Sequence, residues 1–168
     1  MTKIGIIMGS DSDWPVLEPG YHQLKELGLE VEVLVASAHR TPEAVESFAA
    51  GARGRGLAAI IAAAGAAAHL AGVVAAYTTL PVIGVPISGS ALKGMDALLS
   101  MAQMPPGIPV GVMAIDGGKN AALYAAAIAG ATDKTVAARL DEFRQKQADG
   151  VRAKNDSLQK KLSGKKDA

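Results

Sequence analysis

Residues 3–13 read KIGIIMGSDSD, an apolar run from Lys3 to Met8 that turns abruptly polar at Gly9-Ser10-Asp11-Ser12-Asp13. Lys3 to Met8 alternates too little for a half-exposed strand, so it reads as a strand buried on both faces. The polar residues that follow favour a turn and a helix N-cap. Beyond them, Trp14 to Leu27 sets Val16, Leu17, Tyr21, Leu24 and Leu27 at helical spacing. Strand, polar turn and amphipathic helix together make one βα unit.

The unit recurs along the chain. Gly28 closes the first helix, and Glu30 to Ala36 (EVEVLVA) is a second strand. It runs into Ser37-Ala38-His39-Arg40-Thr41-Pro42, where Thr41 is the expected N-cap and Pro42 the first position of a helix reaching about Arg55. Ala58 to Ala64 is a third buried strand, followed by the small-residue loop Gly65 to His69 and a helix from Leu70 to Ala76. Pro81 to Val85 is the fourth strand, with its loop at Pro86 to Ser90 and a helix over Ala91 to Met101. Val110 to Ile115 is the fifth, covered by a helix from Asn120 to Ile128. A polar helix from about Thr135 to Lys161 comes last, and residues 163–168 are expected to form a disordered tail. Pro19-Gly20 inside the first helix predicts a kink or a late helix start.

Such alternation calls for a parallel five-stranded sheet with right-handed crossovers and helices on both faces, a three-layer α/β/α domain over residues 1–162 with its core in 3–129. Ligands of open parallel sheets bind beyond the carboxyl ends of the strands. The loops gathered there are Gly9 to Asp13, Ser37 to Arg40, Gly65 to His69 and Pro86 to Ser90.

Composition narrows the function. The 168 residues are 49% hydrophobic, enough for one core. A net charge of +1 gives no general reason to bind nucleic acid or an anionic membrane. The absence of cysteine excludes disulfides, thiolate catalysis and cysteine-ligated metal, and agrees with a cytoplasmic address. The apolar N-terminal run has no cleavage site and is not a signal peptide. The stretch from Leu57 to Val85 contains His69 and is broken by Thr78, Thr79 and Pro81, so it suits buried strand and helix rather than a bilayer span.

The strand-end loops hold the chemistry. The Gly9 to Asp13 turn opens a helix, where backbone N–H groups and serine hydroxyls suit a phosphate or sugar. Asp11 and Asp13 would repel phosphate and are expected to accept hydrogen bonds from ribose hydroxyls or an amine. His39, able to titrate near neutral pH, stands beside Arg40, a permanent cation that can fork onto a phosphate. His69 ends another strand's loop, so two of the three histidines converge on one edge, while His22 within the first helix reads as a surface or packing residue. No His-x-x-x-His pair occurs, and no metal site is expected. With no G-x-S-x-G elbow, a serine nucleophile is unsupported, and general acid–base chemistry fits better.

Five blocks carry a resemblance: GIIMGSDSDWP (5–15), SAHRTP (37–42), IIAAAGAAAHLAG (60–72), TTLPVIGVP (78–86) and ALKGMDALLSMAQMPPGIPVG (91–111). Their order resembles the N5-carboxyaminoimidazole ribonucleotide mutase family (PurE, class I), over roughly residues 3 to 129. The resemblance implies a flavodoxin-like domain in a homo-octamer, without metal or organic cofactor. It also implies a place in de novo purine biosynthesis, linked to a separate ATP-dependent synthetase that makes the substrate. By the same resemblance His39 is the acid–base residue and His69 the second active-site histidine. Ser10, Asp11 and Asp13 help hold the ribonucleotide, and Arg40 meets its phosphate. Ser37, Ala38, Gly65, Ala66 and Ala67 complete the expected substrate contacts, the small residues letting backbone approach the base and trapped carbon dioxide.

The chain departs from the family's G-A-G-G-A-A-H-L-P-G run, with Ala63, Ala66 and Ala71 where Gly, Gly and Pro are expected. If position 66 needs positive φ, alanine is strained there by roughly 1 kcal/mol or more. Three rivals stand beside the mutase reading. One is direct carboxylation of aminoimidazole ribonucleotide with carbon dioxide, against which GSDSDW speaks. The others are a non-catalytic flavodoxin-like module and a weakened paralogue.

Overall fold

Five parallel strands run in the order β2-β1-β3-β4-β5: β1 (Lys3–Met8), β2 (Glu30–Val35), β3 (Leu57–Gly65), β4 (Val82–Ile87) and β5 (Gly111–Val112). This is a computed structural model and describes residues 2–164. The helices are α1 (Trp14–Glu26), α2 (Pro42–Gly51), α3 (Leu70–Ala76), α4 (Met95–Ala102), α5 (Gly118–Gly130) and α6 (Lys134–Ser163), with a short 3-10 turn at Asp11–Asp13. Strand order reverses around β1, as in flavodoxin-like sheets, which opens a crevice beyond the carboxyl ends of β1 and β3.

The buried strands feed two cores at once. Ile4, Ile6 and Met8 of β1 and Ala59, Ile61 and Ala63 of β3 pack with α1 and α5. The alternate residues Ile7, Ile60, Ala62 and Ala64 pack with α2, α3 and α4 on the other face. Period-2 alternation thus survives, but each face meets helices instead of water. β2 is an edge strand, and its Val33 and Val35 remain exposed.

Helix α1 runs through Pro19 without the expected late start. Gly20 explains its fit: a Cβ there would sit 2.6 Å from the Gly118 carbonyl oxygen, and one on Gly118 would sit 2.1 Å from that of Val16. Here α1 and α5 meet backbone to backbone, a contact only glycine permits.

Several elements are shorter than the sequence suggests. Helix α2, expected to reach about Arg55, ends at Gly51, where the chain passes into turns closed by the Ala52 and Arg55 N–H groups. The helix expected from Ala91 begins at Met95, because Lys93 (φ 51°) and Gly94 (φ 86°) are both left-handed and close a turn back to Ser90. The strand expected over Val110 to Ile115 pairs only at Gly111–Val112. Its chain turns at Ala114 to Gly117, with Asp116 at φ 57°, before an extended strand can continue. Of the tail expected over 163–168, Ser163 closes α6 and residues 165–168 lie outside the described residues.

Candidate active site

Three strand-end loops line one open crevice of about 190 Å³ at the β1/β3 rim. Gly9, Ser10 and Asp13 come from the end of β1, Ser37 to Arg40 from β2, and Ala64, Gly65, Ala67, His69 and Leu70 from β3 and its loop. The β1 and β2 loops are each tied by hydrogen bonds of their own side chains.

In the β1 loop, Ser10 caps the 3-10 turn: its Oγ accepts from the Ser12 N–H, and its own N–H donates to the Asp13 carboxylate at 3.3 Å. The Asp13 N–H donates to the Ser10 carbonyl. Three backbone donors foreseen for a phosphate are therefore engaged within the loop, and the serine hydroxyls bond there too: Ser12 Oγ donates to Ser10 Oγ at 2.8 Å, and Ser10 Oγ donates to the Asp11 carboxylate at 3.3 Å. Asp13 is only 7% exposed. Burial pushes its carboxyl above the ordinary range; the Ser10 N–H opposes this and the neighbouring Asp11 charge adds to it. Asp11 itself lies outside the crevice lining and faces the adjoining groove of Trp14, Tyr21 and Val33.

The β2 loop closes on itself. Ser37 donates its N–H to Thr41 Oγ1 at 2.9 Å, while Ser37 Oγ accepts from the backbone N–H groups of His39 and Arg40 and from Arg40 Nε. Thr41 occupies the N-cap position of α2, yet its hydroxyl serves this turn and leaves the helix uncapped by a side chain. The result presents His39 and Arg40 together on an exposed rim.

The β3 loop brings the second histidine. His39 Nε2 and His69 Nδ1 lie 2.8 Å apart with their rings nearly perpendicular. One nitrogen must carry the hydrogen and the other accept it, so the two rings share a single proton position. Ala66 sits beside the lining residues at φ 51°, the left-handed conformation that its glycine counterpart would adopt freely.

The structure thus brings together Ser10, Asp13, Ser37, Ala38, His39, Arg40, Gly65, Ala67 and His69 of the expected residues, and sets Asp11 and Ala66 just outside the lining. The Pro86 to Ser90 loop contributes no lining residue; its Ser88 N–H is tied to Asp116 instead. The sequence reading missed Leu70, which lines the floor, and Ser100, whose hydroxyl reaches the β3 loop from α4. No group of three or more His, Asp or Glu side chains is placed to hold a metal among the described residues. None of the described helices is long and apolar enough to cross a membrane.

A flavodoxin-like sheet thus carries an imidazole pair, a guanidinium and a serine–aspartate turn at its switch point, the place where sheets of this class bind their ligands. Comparison with known proteins agrees. Residues 3–150 match the family model described as AIR carboxylase. An N5-carboxyaminoimidazole ribonucleotide mutase of Mycobacterium tuberculosis is 52% identical over 163 residues, 97% of this chain and 93% of that one. One of Vibrio parahaemolyticus is 50% identical, covering 90% and 95%. The crystal structure of Treponema denticola PurE superposes with a TM-score of 0.85 at 29% identity, over 94% of this chain and 99% of that chain. The chain belongs to the AIR carboxylase family.

Proposed function

We propose that this chain is an isomerase of de novo purine biosynthesis. It converts N5-carboxyaminoimidazole ribonucleotide to 4-carboxy-5-aminoimidazole ribonucleotide, with His39 moving the protons. The observation that carries the reading is the contact of His39 with His69 in a crevice that also holds Arg40, Ser10 and Asp13.

The chemistry follows from that arrangement. Protonated His39 gives its proton to the carbamate nitrogen, the N–C bond breaks, and carbon dioxide is released beside the aminoimidazole. Ring carbon C4 attacks the trapped carbon dioxide, forming the new C–C bond. Neutral His39 then removes the C4 proton, so the proton lent to nitrogen returns from carbon and the enzyme ends as it began. His69, in contact with His39, is suited to fix its tautomer. Arg40 suits the substrate phosphate, and the Ser10 and Asp13 side chains suit the ribose.

Turnover of the carbamate substrate without added bicarbonate tests the proposal. Mutase activity proceeds at full rate, whereas direct carboxylation of aminoimidazole ribonucleotide requires added bicarbonate. A homo-octamer in the cytoplasm, supplied by an ATP-dependent synthetase, belongs to the same reading. The exposed Leu92, Met95 and Leu99 on and before α4 give an apolar surface for such an assembly to cover.

A further inference from the structure

The loop that carries His69 has little to hold it. Ala66, Ala67 and His69 are exposed, and Ala66 is left-handed. Ala68 is the buried point of the turn, 1% exposed. Its N–H has two acceptors: the Ala66 carbonyl at 2.9 Å, two residues back, and Ser100 Oγ at 3.2 Å. A bond spanning two residues is tightly bent and poorly aligned, so it does little to fix the turn.

Ser100 is built to be the acceptor. Its hydroxyl has one hydrogen, which is directed to the Ala97 carbonyl at 3.1 Å in its own helix. The oxygen's lone pairs are therefore what the Ala68 N–H meets. Helix α4 makes a firm base, because Ala97 and Met101 are fully buried in the core beneath the loop. Among the described residues, Ser100 is the one side chain beyond the turn that bonds its backbone.

We propose that Ser100 is a positioning residue for the histidine pair. Its hydroxyl anchors the Ala68 N–H, which places the next residue, His69, at the 2.8 Å distance where its Nδ1 meets His39 Nε2. This rests on the assignment of acid–base work to His39, with His69 fixing its tautomer. Ser100 itself touches neither substrate nor the reacting atoms.

The test compares Ser100→Ala, Ser100→Thr and His69→Gln in the full-length protein. A misplacement of about 1 Å at a reacting group can lower rates by as much as ~100-fold, so Ser100→Ala is expected to lower kcat by ~10-fold with KM within ~2-fold. Ser100→Thr, which keeps the oxygen, restores kcat to within ~2-fold of the parent. Nitrogen NMR of the histidine side chains gives a second readout, in which the signals of residues 39 and 69 shift in Ser100→Ala and return in Ser100→Thr. Unchanged kcat and unchanged histidine signals in folded Ser100→Ala overturn the proposal, as does a loss that Ser100→Thr fails to restore. Should Ser100→Ala not fold, Ser100→Cys, with its weaker acceptor, must give an intermediate kcat, and a parental value again overturns the proposal. His69→Gln separates the two levels: if it retains full turnover, the histidine assignment fails and this inference with it. If it is inactive while Ser100→Ala is fully active, only the inference about Ser100 fails.

Discussion

His39 Nε2 lies 2.8 Å from His69 Nδ1, although the two residues are thirty positions apart and come from loops after different strands. The contact exists because β1 separates β2 from β3 in the sheet while all three point their carboxyl ends the same way. Loops on either side of β1 then lean over its end and face each other. Topology, more than any local motif, makes the pair.

Ala66 gives a prediction about stability. At φ 51° an alanine costs about 1–2 kcal/mol relative to glycine in the folded state, while glycine loses about 0.4–1 kcal/mol through its freer unfolded chain. Ala66→Gly is therefore expected to stabilise the fold by about 0.5–1 kcal/mol, read from urea unfolding. A destabilised variant would mean that the loop does not hold this conformation in solution.

The helix pair α1 and α5 gives a second. Gly20→Ala drives a methyl into the Gly118 carbonyl, and neither backbone can yield without moving a helix. A loss of roughly 1–3 kcal/mol is expected. Gly150→Ala, in the open on α6, has nothing within 4 Å and should gain about 0.5–1 kcal/mol from helix propensity. Equal effects of the two changes in urea titrations would refute the close approach.

Asp13 ties stability to pH. Burial raises its carboxyl above 3.8, with the Ser10 N–H opposing and the Asp11 charge adding. The ionised form is thus disfavoured in the folded state: the penalty is full above the raised folded value and vanishes as pH falls below the unfolded one. Asp13→Asn, which still offers an oxygen to Ser10, should have the higher Tm at pH 7, with the gap closing as pH falls toward 3.8. Equal Tm values at pH 7, or a gap that widens in acid, would contradict this.

Much of the fold could be read from residues 3–13 and their repeats, since long apolar runs bounded by Gly, Ser and Asp leave few other options. The rim position of SAHR and of the Gly65 to His69 loop followed from the same alternation. Less accessible were features set by contacts between distant residues. Whether Asp11 or Asp13 faces the crevice depends on how the 3-10 turn winds, and both carry the same carboxyl group. The late start of α4 comes from Lys93 adopting a left-handed conformation that composition does not demand. Ser100 reaches Ala68 across 32 positions, a partnership no local pattern displays.

The central claim is that His39 moves the protons, and it is tested most directly by His39→Asn in the bicarbonate-free assay alongside calorimetric binding of the ribonucleotide. Turnover should fall by at least ~100-fold while Kd stays within ~3-fold, because the amide keeps the shape of the site but transfers no proton. Near-parental turnover in that variant, with the protein folded and the nucleotide bound, would contradict the account.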